Sequence, residues 1–170
     1  MLTKLMLLIA LITNLLACRP FFFGGKYKFG ETKHLQEVEE ALREDRFNDA
    51  IAAYQAHIED RLAEDDRPAW ENPYFYYLLI GDIELRRGEV DKALKAYELA
   101  ESNGVAVELV ADRYRSVGRW YEEKQELQSA IEVLSRYKDR DPLLIEAILD
   151  RLAKELTRLE DTKEKPGAGL

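Results

Sequence analysis

One cysteine and two histidines in 170 residues leave this chain little from which to build a metal centre or a nucleophilic triad. Cys18 has no partner, which excludes an internal disulfide. No glycine-rich phosphate loop, nucleophile elbow or histidine-pair metal helix is present, so no catalytic residue, no metal ligand and no cofactor is assigned. Glycine and proline are sparse, nine and five residues, and fall at punctuation points. Basic residues are outnumbered, 25 against 33 acidic ones, giving a net charge of −8 with no segregated basic patch. That balance repels phosphate and argues against nucleic acid as a partner. The longest apolar run, Leu5 to Leu16, spans twelve residues and is interrupted by Thr13 and Asn14. It falls short of the roughly 20 residues that a membrane-spanning helix needs.

What is there begins with that run. Lys4 supplies a positive start, the apolar stretch follows, and Leu15-Leu16-Ala17-Cys18 ends it with a cysteine after a small residue, the layout of a cleaved signal over residues 1–17. This ending resembles the lipobox of bacterial lipoproteins. The resemblance implies acylation of Cys18 and a lipid anchor, since two or three acyl chains hold stably where one binds marginally. It also implies the bacterial envelope and, with Arg19 rather than Asp after the cysteine, the outer membrane facing the periplasm. The bland alternative is an ordinary signal peptide with a chance cysteine. Removal of residues 1–17 takes away one lysine and no acid, so the mature charge becomes −9. Residues 18–30 then read as the modified cysteine and a short tether with five aromatics, among them Phe21, Phe22, Phe23 and Phe29. These rings suit a membrane interface, and equally suit docking onto the first helix.

From Glu31 the apolar spacing is helical. Leu35, Val38, Ala41 and Leu42 mark one stripe, and Phe47, Ala50, Ile51, Tyr54, Ile58 and Leu62 the next. Asn72-Pro73 is an N-cap with proline at the first helical position, opening a third helix through Tyr74 to Arg87. Gly88 ends it, a fourth carries Val90 to Ala100, and Asn103-Gly104 closes that one. A fifth helix is expected up to Gly118, a sixth around Leu127 to Leu134, and a seventh after Asp141-Pro142. The helical domain is set at 31–160 and a flexible tail at 161–170.

Gly81, Gly88, Ala93, Tyr97 and Ala100 keep the spacing of small, turn and bulky residues found in a tetratricopeptide repeat of about 34 residues, which the stretch from Tyr74 resembles. A degenerate unit precedes it, with Ala50 and Tyr54 in register, and a weaker one follows, with Gly118 read as its turn glycine. The resemblance implies an all-α fold: a short right-handed α-solenoid of antiparallel helix pairs with a C-terminal capping helix. It also implies a concave face drawn from the first helix of each pair. Carried onto this chain, that face comprises Phe75, Leu78, Asp82 and Leu85, with Arg86 adjacent, and from the first unit Leu35, Glu39 and Arg43. The resulting expectation is no enzyme but a membrane-anchored adaptor that binds an envelope protein or peptide. The alternatives are a structural or accessory subunit of an envelope assembly, such as outer-membrane assembly, a pilus or secretin pilotin or a cell-wall enzyme adaptor, and an undetected hydrolase using paired carboxylates. His57 reads as a packed structural histidine, and the acids from Glu59 to Asp66 as a solvated face.

Overall fold

A computed structural model describes residues 32–164. Residues 1–31 and 165–170, and with them the signal reading, Cys18 and the aromatic tether, lie outside the described residues. Seven α-helices make up the regular structure: α1 (Lys33–Arg43), α2 (Phe47–Ala63), α3 (Tyr76–Arg86), α4 (Val90–Ser102), α5 (Val107–Glu123), α6 (Leu127–Arg136) and α7 (Pro142–Glu164). Short 3-10 turns over Pro73–Phe75 and Lys138–Arg140 precede α3 and α7. Among the described residues there is no strand, and no helix is long and apolar enough to cross a membrane. Each helix packs on the next in the chain, and α3 also touches α5.

The caps explain several starts. Thr32 Oγ1 accepts from the Leu35 N–H at 3.4 Å, and Asn72 Oδ1 accepts from the Tyr74 N–H at 3.0 Å. The third helix starts later than its spacing predicts, because the first turn after Asn72 is 3-10 and the α-helix proper begins at Tyr76.

Four connections share one geometry. One, at Gly104 between α4 and α5, has φ of 81° and the Val105 N–H donating to the Ala100 carbonyl at 3.1 Å. The other three join α1 to α2, α3 to α4 and α5 to α6. Asp45, Gly88 and Gln125 take left-handed backbone angles, with φ of 54°, 80° and 62°. The N–H that follows each of them donates back to a carbonyl in the last helical turn: Arg46 to Ala41 at 2.8 Å, Glu89 to Glu84 at 2.9 Å and Glu126 to Tyr121 at 2.9 Å. This is the Schellman closure, which satisfies carbonyls that a helix end leaves unpaired. Gly88 and Gly104 enter it without steric cost, whereas Asp45 and Gln125 each carry about 1–2 kcal/mol for their Cβ.

Gly118 does not end α5, contrary to the spacing argument; the helix runs on to Glu123 and turns at Gln125. Its small size serves close approach instead. A Cβ at Gly118 would lie 2.7 Å from Leu134 Cδ1, and one at Gly81 only 2.2 Å from Tyr97 Cε1. Gly81 thus stands to Gly88 as Gly118 stands to Gln125. Five residues after the turns at Asp45, Gly88 and Gln125 sits a fully buried alanine, Ala50, Ala93 and Ala130, whereas the turn at Gly104 is followed at that distance by exposed Leu109.

Apolar burial follows the same division. Val38, Ala41, Ala50 and Ile58 pack with Ile80 and Ile83, while Leu127, Leu134, Ile145 and Leu152 join α6 to α7. Between them lies a tyrosine ladder. Tyr97 meets Tyr114 edge-on at 6.2 Å, and Tyr114 stacks on Tyr137 at 3.6 Å. Their hydroxyls donate to Asp82, Glu101 and Glu98, so the buried phenols keep hydrogen-bond partners. Burial first, and these carboxylates second, raise all three phenol pKa values, that of Tyr137 to about 12.

Candidate binding cleft

Of the residues carried onto the concave face, Asp82, Leu85 and Arg86 share one cleft. It has a volume of about 270 Å³ and is completed by Ser116, Arg119, Trp120 and Glu123 of α5. The α5 contribution escaped the sequence reading because a turn at Gly118 removes the second half of that helix. A signal was available: Gly118, Gln125 and Ala130 repeat the spacing of Gly81, Gly88 and Ala93.

The other carried-over residues lie elsewhere. Leu78 is fully buried in the central core, because its place on α3 points it into the packing around Tyr97 and Tyr114, and it offers no surface to a partner. Phe75 is exposed, edge-on to Tyr76 at 5.9 Å, but is not a wall of this cleft. Leu35 packs half-buried against the first core cluster. Glu39 and Arg43 bond to each other on the open side of α1, at 3.0 Å.

Asp82, though partly exposed, is engaged within the fold. Arg113 grips both its oxygens, at 3.2 and 3.0 Å, and the Tyr97 hydroxyl donates to one of them at 3.0 Å. Arg86 is looser: it reaches Asp45 at 3.1 Å, both side chains are mostly exposed, and its guanidinium lies 5.1 Å from the Phe47 ring centre. An exposed pair of this kind is worth about 0–1 kcal/mol, weak enough for a ligand carboxylate to compete. Trp120 is half-buried beside the Gly88 turn, with Lys124 Nζ 4.2 Å from its ring centre. Arg119 is exposed and makes no hydrogen bond or ion pair among the described residues. Its acidic neighbour Glu122 is already held by Arg151 at 2.6 and 2.8 Å.

Two larger clefts differ in that their cations are taken. In one, His34 bridges Glu37 and Asp60, at 3.0 and 3.1 Å, and Arg46 bridges Glu44 and Asp49. In the other, Arg151, Lys154 and Arg158 pair with Glu122, Asp150 and Glu155. No group of three or more potential metal ligands occurs among the described residues.

His57 is buried on α2. Its Nδ1 lies 3.0 Å from Thr32 Oγ1, and its ring meets Tyr76 edge-on at 4.5 Å. Burial lowers its pKa, as does the charge of Arg61, against smaller opposing effects of Glu71 and Asp60.

No model of a known protein family matches this chain, and no curated protein sequence matches it either.

Proposed function

We propose that this chain is a lipid-anchored adaptor of the bacterial cell envelope, holding a peptide or protein partner on a short right-handed solenoid of antiparallel helix pairs of tetratricopeptide type. The observation that carries the scaffold reading is the recurrence at Asp45, Gly88 and Gln125 of one turn geometry, each followed at the same distance by a buried alanine. The contact of α3 with α5, the first helices of successive pairs, is the stacking a solenoid requires. The spacing departs from the family value: these turns are 43 and 37 residues apart, against about 34. α7 lays Ile145 and Leu152 on α6 and turns charged side chains outward, the behaviour of a capping helix.

Anchoring rests on Leu15 to Cys18. In the native envelope, Cys18→Ser is expected to abolish incorporation of labelled fatty acid and to move the protein out of the detergent phase. Unchanged labelling and partitioning would remove the lipoprotein reading. Crosslinking of the anchored protein followed by partner identification tests the adaptor role, and recovery of the uncrosslinked chain alone counts against it.

A further inference from the structure

The α3–α5 cleft has a chemistry more specific than peptide binding in general. Its apolar lining is the half-buried Trp120 indole, which Lys124 approaches at 4.2 Å, with the largely buried Leu85 beside it. The charged residues of its lining are Arg86 and Arg119 against Asp82 and Glu123, with Lys124 over the Trp120 ring and Asp45, the partner of Arg86, just outside. Asp82 is neutralised by Arg113 and spends its lone pairs on Arg113 and Tyr97. With Asp82 matched by Arg113 and Arg86 by Asp45, the charges left at the cleft are Arg119 and the neighbouring Lys124 against Glu123, in a chain whose net charge is −8. Arg119 stands out further. The other described arginines donate to a carboxylate or a carbonyl or lie over a ring, whereas Arg119 does none of these.

A volume of about 270 Å³ lies under the range of roughly 300–1,000 Å³ that encloses a small molecule or cofactor, so the cleft suits one or two side chains of a passing chain. We propose that it takes an extended peptide segment of acidic and apolar character, an aspartate or glutamate side chain reaching Arg86 and Arg119 while a neighbouring apolar side chain lies on Trp120 and Leu85. This rests on the adaptor reading and names its partner's chemistry. Planar guanidinium groups match a carboxylate bidentately, and tryptophan and arginine are the residue types that most often dominate interfaces. Single-stranded nucleic acid also uses rings and cations, but the chain's overall acidity opposes a phosphate polymer approaching along its surface.

The test uses the soluble chain from residue 19 onward together with the full-length lipidated protein in detergent. Binding is measured by fluorescence anisotropy with short labelled peptides whose ends are acetylated and amidated, so that only side chains carry charge. Three probes share one leucine- and phenylalanine-containing frame, with glutamate, glutamine or lysine at the remaining positions, and a fluorescent oligothymidine is the fourth. The glutamate peptide should bind at least about tenfold more tightly than the lysine peptide, with affinity falling as salt rises. Arg119→Glu should weaken the glutamate peptide by about tenfold, Arg119→Lys should restore most of the loss, and Glu123→Gln should tighten binding. Both positions are exposed, and unchanged helical circular dichroism establishes that each variant is folded. Equal binding of the glutamate and lysine peptides, or indifference to Arg119→Glu, overturns the acidic assignment and leaves the adaptor reading standing. Failure of every peptide overturns peptide binding at this cleft altogether, and preference for oligothymidine overturns both.

Discussion

Replacing Gly81 by alanine would set a methyl group 2.2 Å from Tyr97 Cε1, 2.6 Å from Cδ1 and 2.9 Å from Cζ. The ring has little room to retreat. Tyr97 is fully buried, stands edge-on to Tyr114 at 6.2 Å, and has its hydroxyl tied to Asp82, which Arg113 holds in turn. Overpacking by a methyl group costs roughly 1–3 kcal/mol, and contacts this short place Gly81 toward the upper end. Against that stands about 1 kcal/mol gained when alanine replaces glycine inside a helix. A net loss of about 1–2 kcal/mol follows, which for a chain of this size lowers the melting temperature by roughly 3–8 °C. Guanidinium denaturation followed by far-ultraviolet circular dichroism measures it, with the midpoint falling and the slope unchanged. A Gly81→Ala protein about 1 kcal/mol more stable than the parent would mean that only helix propensity is at work and that Tyr97 is not seated on this glycine.

Gln125→Gly should stabilise by up to about 1 kcal/mol, because relief of the left-handed strain exceeds the added unfolded-state entropy; a lower denaturation midpoint would place the turn elsewhere. Acidification should weaken the fold through His57. Its folded pKa lies below the unfolded value of about 6.5, so the unfolded chain takes up more protons and stability falls as pH drops through and below that value. His57→Gln should flatten the dependence between about pH 7 and 5. Denaturation midpoints at both ends of that window measure the effect, and an equally steep fall in the variant would remove His57 as its source; carboxylates such as Glu37 and Glu71, whose pKa values are lowered, lose stability only in a more acidic range.

The helices were legible because their apolar residues recur at three and four, and because Asn72-Pro73, Gly88 and Asn103-Gly104 punctuate them in the expected way. Gly118 misled for a physical reason. A glycine serves either a left-handed turn or a close helix contact, and the letter is the same in both. Gly81 and Gly88 illustrate the two uses within one helix pair, Gly81 under the Tyr97 ring and Gly88 at φ +80°. Where the turn falls on a side-chain-bearing residue, as at Asp45 and Gln125, composition offers no glycine to mark it. The buried alanine five residues later is then the better landmark, since close helix approach tolerates few larger residues there.

The cleft was less legible than the helices, because availability of a charge depends on pairing across the fold. Asp82 and Arg86 read alike from the sequence, two charged residues one turn apart on the same helix. In the fold Asp82 is saturated by Arg113, which lies 31 residues further on, while Arg86 keeps only an exposed partner in the turn at Asp45. Leu78 and Leu85 are likewise the same residue type on that helix and belong to the same buried cluster, yet Leu78 is sealed within it and Leu85, 9% exposed, also borders the cleft. Periodicity assigns a face to each residue to within about a third of a turn, and that width is enough to exchange core for groove. What the pattern does not encode is which described arginine is left without a carboxylate, a carbonyl or a ring to bind. Arg119 is that residue, and its use as a recognition group depends on α5 continuing past Gly118, so a turn placed there would remove both the arginine and the tryptophan beside it from the same surface.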